Sequence, residues 1–85
     1  MLTHKTPRLD LHGVELALVY ALVTEFINDN LKMGNKEFVI IHGKSTNILT
    51  NEVHRVLKNK KEVLNYKLNN WNVGETIVKI KWLLQ

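Results

Sequence analysis

Two histidines occupy matching places in this chain, one in Leu9-Asp10-Leu11-His12-Gly13 and one in Phe38-Val39-Ile40-Ile41-His42-Gly43-Lys44. In each, an apolar run ends at a histidine, a glycine follows, and a helix-like segment comes next. The histidines lie thirty positions apart, about the length of one strand, helix, strand unit, so folding should bring them side by side. An imidazole exchanges protons near neutral pH, a carboxylate such as Asp10 can orient it, and a lysine such as Lys44 can neutralise a phosphate. Together these are parts for cutting a phosphodiester bond. Gly13 and Gly43 would let backbone approach a bulky ligand, and the helix N-termini after them offer amide donors to phosphate oxygens.

The same residues admit plainer readings. A histidine at a strand end often only bonds the next turn, Asp10 can serve turn amides, and Lys44 can be a solvated cation. His54 falls within a helix and His4 in the N-terminal stretch, so both are expected at the surface. Lys58, Lys60 and Lys61 either close a helix in water or bind phosphate. Trp71 and Trp82 are read as packing residues, with base stacking the alternative for Trp71 in its loop. A metal held by the two histidines and Asp10 is a further alternative, but no compact signature such as H-x-x-x-H is present, and Lys44 would oppose a cation. No cofactor is therefore expected.

The elements that must position these groups follow from periodicity. Pro7 pushes Thr6 toward extended backbone, so residues 1–8 read as an extension entering a single domain over 9–85. Leu9 to His12 alternates as a strand with Asp10 and His12 on one face. From Val14 to about Met33 apolar residues recur at three and four: Leu16, Val19, Tyr20, Val23, Ile27 and Leu31 form one row, and Leu18, Leu22 and Phe26 a second, predicting a helix buried over a wide arc. Gly34 is its expected C-cap. Phe38 to His42 is a short apolar run suited to a covered strand, parallel to the first through a right-handed crossover. Ile48 to Lys58 should be a second helix facing inward through Leu49, Val53, Val56 and Leu57, with Thr46 or Asn47 as N-cap. Leu64, Tyr66 and Leu68 alternate with Asn65 and Lys67, Asn69 to Gly74 carries turn chemistry, and Thr76 to Leu83 alternates again. The last two strands predict an antiparallel hairpin with a long loop. The order βαβαββ, with both helices on one face of a four-stranded mixed sheet, is a two-layer α/β sandwich.

Composition bounds the rest. A chain of 85 residues supports one core, and without cysteine that core must hold by packing alone, as is common in the cytosol. No stretch resembles a signal peptide or a spanning helix, so a soluble cytoplasmic protein without membrane association is expected. The formal net charge of +4 favours polyanionic partners.

These motifs, in this order and spacing, resemble the Smr (small MutS-related) domain family. The resemblance rests on Leu9-Asp10-Leu11-His12-Gly13, the helix ending at Gly34, Val39 to Lys44, the Leu49, Val53 and Leu57 spacing, and Thr76 to Ile80. It implies a fold like the C-terminal domain of a bacterial translation initiation factor, and nucleic-acid binding with cleavage of DNA or RNA, including message at stalled ribosomes. By position it implies that Asp10 and His12 form the Asp-x-His motif on which family cleavage depends, and that His42, Gly43 and Lys44 form the second motif. Where the family usually reads Gly-Lys-Gly-Thr-Gly, this chain reads Gly43-Lys44-Ser45-Thr46-Asn47, so two side chains narrow the approach of a sugar-phosphate backbone. The expectation is an endonuclease favouring RNA. His12 and His42 would share acid and base roles, Asp10 would hold the His12 ring, and Lys44 would stabilise the phosphorane. Gly43 to Asn47 and Lys58, Lys60 and Lys61 would bind the nucleic acid. A non-catalytic module docking on RNA, DNA or the ribosome, and a protein-interaction domain with incidental charge, are the alternatives from other classes.

Overall fold

The computed structural model describes Leu2, residues 5–44 and residues 46–81. In chain order its elements are β1 (Arg8–Asp10), α1 (Leu16–Met33), β2 (Glu37–Ile41), α2 (Ile48–Lys58), β3 (Val63–Asn69) and β4 (Asn72–Ile80). The apolar run Phe38, Val39 and Ile40 is wholly buried because β2 is interior, in a sheet of order β1-β2-β4-β3. β1 runs parallel to β2, while β4 pairs antiparallel with both β2 and β3. The expected two-layer α/β sandwich with a mixed sheet is thus the observed fold.

Alternation decides which side of the sheet is dry. Phe38 and Ile40 of β2 and Val78 and Ile80 of β4 join one cluster with Val19, Val23 and Ile27 of α1 and Val53, Val56 and Leu57 of α2. Both helices therefore cover the same face. Each such side chain contributes on the order of 1.5–3 kcal/mol by leaving water. On the other face Lys67 and Lys79 stand in solvent.

Several boundaries and faces differ from the sequence pattern. α1 begins at Leu16 rather than Val14, and Leu16, Leu18 and Tyr20 are 44%, 50% and 56% exposed, because a helix on a sheet buries only the stripe that touches it. In β3 the register shifts between Val63 and Asn65, so Val63 packs on the core while Leu64 is exposed. The expected long loop over 69–74 is a two-residue connection, Asn70 and Trp71. Asn69 Oδ1 accepts the Trp71 amide and Asn72 Oδ1 the Gly74 amide, each at 3.0 Å, which turns the chain quickly enough for pairing to reach the tip. β4 ends at Ile80, and the expected continuation through Trp82 and Leu83 lies outside the described residues, as does His4. Arg8, assigned to the extension, belongs to β1, and the Pro7 carbonyl already accepts the Val39 amide at 2.9 Å.

The turn from α1 into β2 rests on a buried amide that sequence pattern did not single out. Gly34 ends the helix in the left-handed region, as expected. One turn earlier, wholly buried Asn30 donates to the Phe26 carbonyl at 2.8 Å and accepts from the Asn35 side chain at 2.9 Å. Asn30→Leu should lower the unfolding free energy by about 1–3 kcal/mol, because two side-chain hydrogen bonds that tie the end of α1 to the turn are lost. The urea midpoint should fall with the slope unchanged, and a midpoint equal to that of the wild type would show the bonds to be idle.

Candidate active site

The parallel pairing of β1 and β2 brings both motifs to one end of the sheet. Asp10 stands opposite Ile41, and the Leu11 amide donates to the Ile41 carbonyl at 2.7 Å, so His12 follows one strand end while His42, Gly43 and Lys44 follow the next. Neighbouring strands lie about 4.8 Å apart. Asp10, His12 and Lys44 are all exposed. Gly13 and Gly43 turn the chain with φ of 80° and 86°, a region that strains any residue bearing a Cβ. The Asp10 carboxylate accepts the backbone amide of His12 at 3.0 Å. Its recorded bond therefore fixes where His12 stands rather than the tautomer of the His12 ring.

His42 takes a different position from the one expected of a second acid or base. Its ring is 4% exposed, with Nδ1 at 2.8 Å from the Thr50 hydroxyl and Nε2 at 2.8 Å from the Thr76 hydroxyl. A ring sealed in this way has neither nitrogen open to a substrate. The reason is local: β2 is interior, and α2, packed across its end, sets Thr50 against the imidazole.

His54, expected at the surface, is instead half-buried against the same group. Its Nε2 lies 2.7 Å from Thr76 Oγ1, and its ring is 6.0 Å from that of His42 and 5.0 Å from that of Tyr66. Thr76 has one proton to give and two imidazole nitrogens facing it. At least one of those nitrogens must therefore carry a proton and donate. If His42 Nε2 donates to Thr76, Thr76 donates to His54 and Thr50 donates to His42 Nδ1; in the reverse chain His42 Nδ1 carries the proton, and it then also faces the Gly43 carbonyl at 3.2 Å, which can only accept. Burial, and then the nearness of His42, hold the His54 pKa below the usual imidazole value. Thr50 and His54 sit four apart on the inward face of α2, and Thr76 is an inward polar residue of β4. That spacing was the available signal for all three.

β4 also shapes the Lys44 turn. The Gly74 carbonyl accepts the amides of His42 and Gly43 at 2.9 and 3.0 Å. A Cβ at Gly74 would lie 3.1 Å from Lys44 Cγ and 3.3 Å from the Gly43 carbonyl carbon, so only hydrogen fits without displacement. On the open face Glu75 is held by Arg8 at 3.1 Å and by the Asn69 amide at 3.2 Å.

The remaining expected phosphate contacts divide between two places. Thr46 and Asn47 stay with Lys44 and are exposed, while Ser45 lies outside the described residues. Asn47 precedes α2 with φ −92° and makes no side-chain cap, so it needs none of the left-handed tolerance of asparagine; the Thr46 hydroxyl reaches the Ile48 amide at a long 3.4 Å. Lys58, Lys60 and Lys61 follow the far end of α2, about 16 Å of helix away, and do not join the cluster. Lys60 lies over the Tyr20 ring, 4.2 Å from its centroid, and donates to its hydroxyl at 3.1 Å. Among the described residues no three His, Asp or Glu side chains gather in a form that could hold a metal ion, and no helix is long and apolar enough to cross a membrane.

Comparison with known proteins is consistent with this arrangement. The family model of the Smr domain matches residues 9–81. Endonuclease MutS2 of Clostridium kluyveri is 33% identical over 76 residues, covering 86% of this chain and 10% of that protein. Endonuclease MutS2 of Helicobacter pylori is 38% identical over 73 residues, with the same two shares. The chain thus spans about a tenth of the length of these curated relatives. Two crystal structures share the fold. The Smr domain of Thermus thermophilus MutS2 superposes with a TM-score of 0.85 at 22% identity, covering 89% of this chain and 99% of that one. YdaL, a stand-alone small MutS-related protein from Escherichia coli, superposes with a TM-score of 0.83 at 24% identity, covering 91% and 66%.

Two measurements test the architecture of the site. With the His54 pKa depressed in the fold, the unfolded chain takes up a proton first as pH falls through about 6.5, so this group removes stability below that pH and is neutral above it. Melting temperature should therefore fall more between about pH 7.5 and 5.5 in the wild type than in His54→Phe, and equal falls would exclude the linkage. Gly74→Ala should cost about 1–3 kcal/mol through overpacking and move the amide resonances of Gly43 and Lys44 more than those of α1. An unshifted Lys44 would show that the turn is set elsewhere.

Proposed function

The chain belongs to the Smr domain family, and from that premise we propose that it is a nucleic-acid-binding endonuclease domain that favours RNA over DNA. The observation that carries the reading is the exposed Asp10-Leu11-His12 turn lying beside the exposed Lys44 turn at one end of the sheet. His12 is the group that takes the 2′-hydroxyl proton. Lys44 stabilises charge on the phosphorane, and Asp10 fixes the backbone from which the imidazole reaches. The leaving 5′-oxygen departs into an open site where water can supply its proton. His42 is a positioning residue in this scheme, since its ring joins β2, α2 and β4 from inside. The name endonuclease belongs to relatives ten times longer, and its extension to this chain rests on the site described above.

Enclosure of His42 also supports a second reading, a module that binds nucleic acid, alone or on the ribosome, without cutting it. One experiment separates the two. Labelled single-stranded RNA and DNA of matched sequence are incubated with the wild type and with an Asp10→Ala, His12→Ala double variant. The endonuclease reading expects RNA cleavage by the wild type and a loss of at least about 100-fold in the variant, the contribution typical of a positioned acid or base. Equal cleavage by both would identify a contaminating nuclease and reject the assignment. Salt-sensitive binding without product over long incubation would establish the binding module instead.

A further inference from the structure

Trp71 is 96% exposed at the tip of the β3–β4 hairpin, and nothing in the proposed cleavage chemistry uses it. An indole in this position adds almost nothing to the stability of the fold, because it shelters almost none of its apolar surface from water. The turn does not require it either. Asn69 and Asn72 bend the chain through their own side chains, and neither bond involves the indole.

The place of the tip is more informative than its exposure. Three residues after Trp71, the Gly74 carbonyl holds the amides of His42 and Gly43, and a Cβ added to Gly74 would meet Lys44 Cγ at 3.1 Å. At roughly 3.3 Å per residue, the indole is attached about 10 Å along the strand from the lysine. Across the sheet order β1-β2-β4-β3, the same end carries His12 after β1, Lys44 after β2, and Trp71 between β3 and β4. A carboxylate–imidazole pair, a cation and a bare aromatic ring thus succeed one another along one edge. Val73 beside the tip is 54% exposed and extends the apolar surface.

We propose that Trp71 is a base-stacking platform, on which an unpaired base of a single-stranded nucleic acid lies while the adjoining phosphate meets Lys44. The proposal rests on the nucleic-acid reading above and narrows its substrate to unpaired segments. Every base presents a π-face when unstacked, whereas in a duplex both faces are already covered by neighbours. The net charge of +4 and the lysine at the same end of the sheet favour this ligand over an apolar protein surface. Since the indole is so exposed, its removal should not disturb the fold.

The test is binding of a short labelled oligouridylate, followed by anisotropy, to the wild type, Trp71→Ala, Trp71→Phe and Lys44→Ala. Trp71→Ala should bind roughly 5- to 150-fold more weakly, the range for loss of one stacked base, and Trp71→Phe should recover most of that loss. An abasic oligonucleotide should bind the wild type as weakly as the intact one binds Trp71→Ala, and should not distinguish the two proteins. The dependence on salt should be unchanged in Trp71→Ala and reduced by about one phosphate in Lys44→Ala. Unaltered affinity in Trp71→Ala beside a loss in Lys44→Ala would overturn the stacking role while leaving the nucleic-acid reading intact. Failure of the wild type to bind any single strand would overturn both. Should Trp71→Ala melt early, the abasic comparison on the wild type still decides.

Discussion

An imidazole cannot be buried cheaply unless both its nitrogens find partners, and His42 meets that condition with two threonine hydroxyls from two different elements. The ring belongs to the end of β2, Thr50 to the first turn of α2 and Thr76 to β4. Satisfying it therefore fixes the angle at which α2 leaves the sheet and the register at which β4 crosses it. The Gly43-Lys44 turn hangs between those two constraints. Its position follows from polar bonds beneath it more than from its own residues, and the absence of a side chain at Gly74 is what lets β4 approach so closely.

This arrangement divides labour between two histidines that look equivalent in sequence. Both end an apolar run and both precede a glycine, yet β1 is an edge strand and β2 an interior one. The edge leaves His12 in solvent, where a ligand can reach it. The interior position encloses His42 under α2. The Thr76 hydroxyl then passes the constraint to His54, so Thr50, His42, Thr76 and His54 behave as one hydrogen-bonded unit whose protons must be arranged together.

Charge is distributed in a way that composition conceals. Lys44 stands at the end of the sheet with Asp10 and His12, while Lys58, Lys60 and Lys61 gather beyond the opposite end of α2, where Tyr20 engages one of them. Glu75 is already balanced by Arg8 and Asn69. A polyanion guided by the whole surface would thus meet basic groups in separate places, Lys67 and Lys79 on the open face among them, and of these Lys44 adjoins the candidate chemistry.

The order of elements, the bounds of α2, the parallel pairing of the two histidine-bearing strands and the alternation of the last strand were all legible in the sequence. Each is a matter of local periodicity, which the chain carries in itself. The Asp10, His12, Gly43 and Lys44 cluster was legible for the same reason, since strand ends in parallel register must meet. What the sequence could not supply was depth. Whether a histidine at a strand end faces water depends on which strand becomes the edge and what the helix that follows lays over it. The same holds for His54, expected on the surface and found against Thr76, and for Trp71, expected to pack and found bare at a tight tip. Burial is a property of neighbours distant in the chain, and only the assembled sheet decides it.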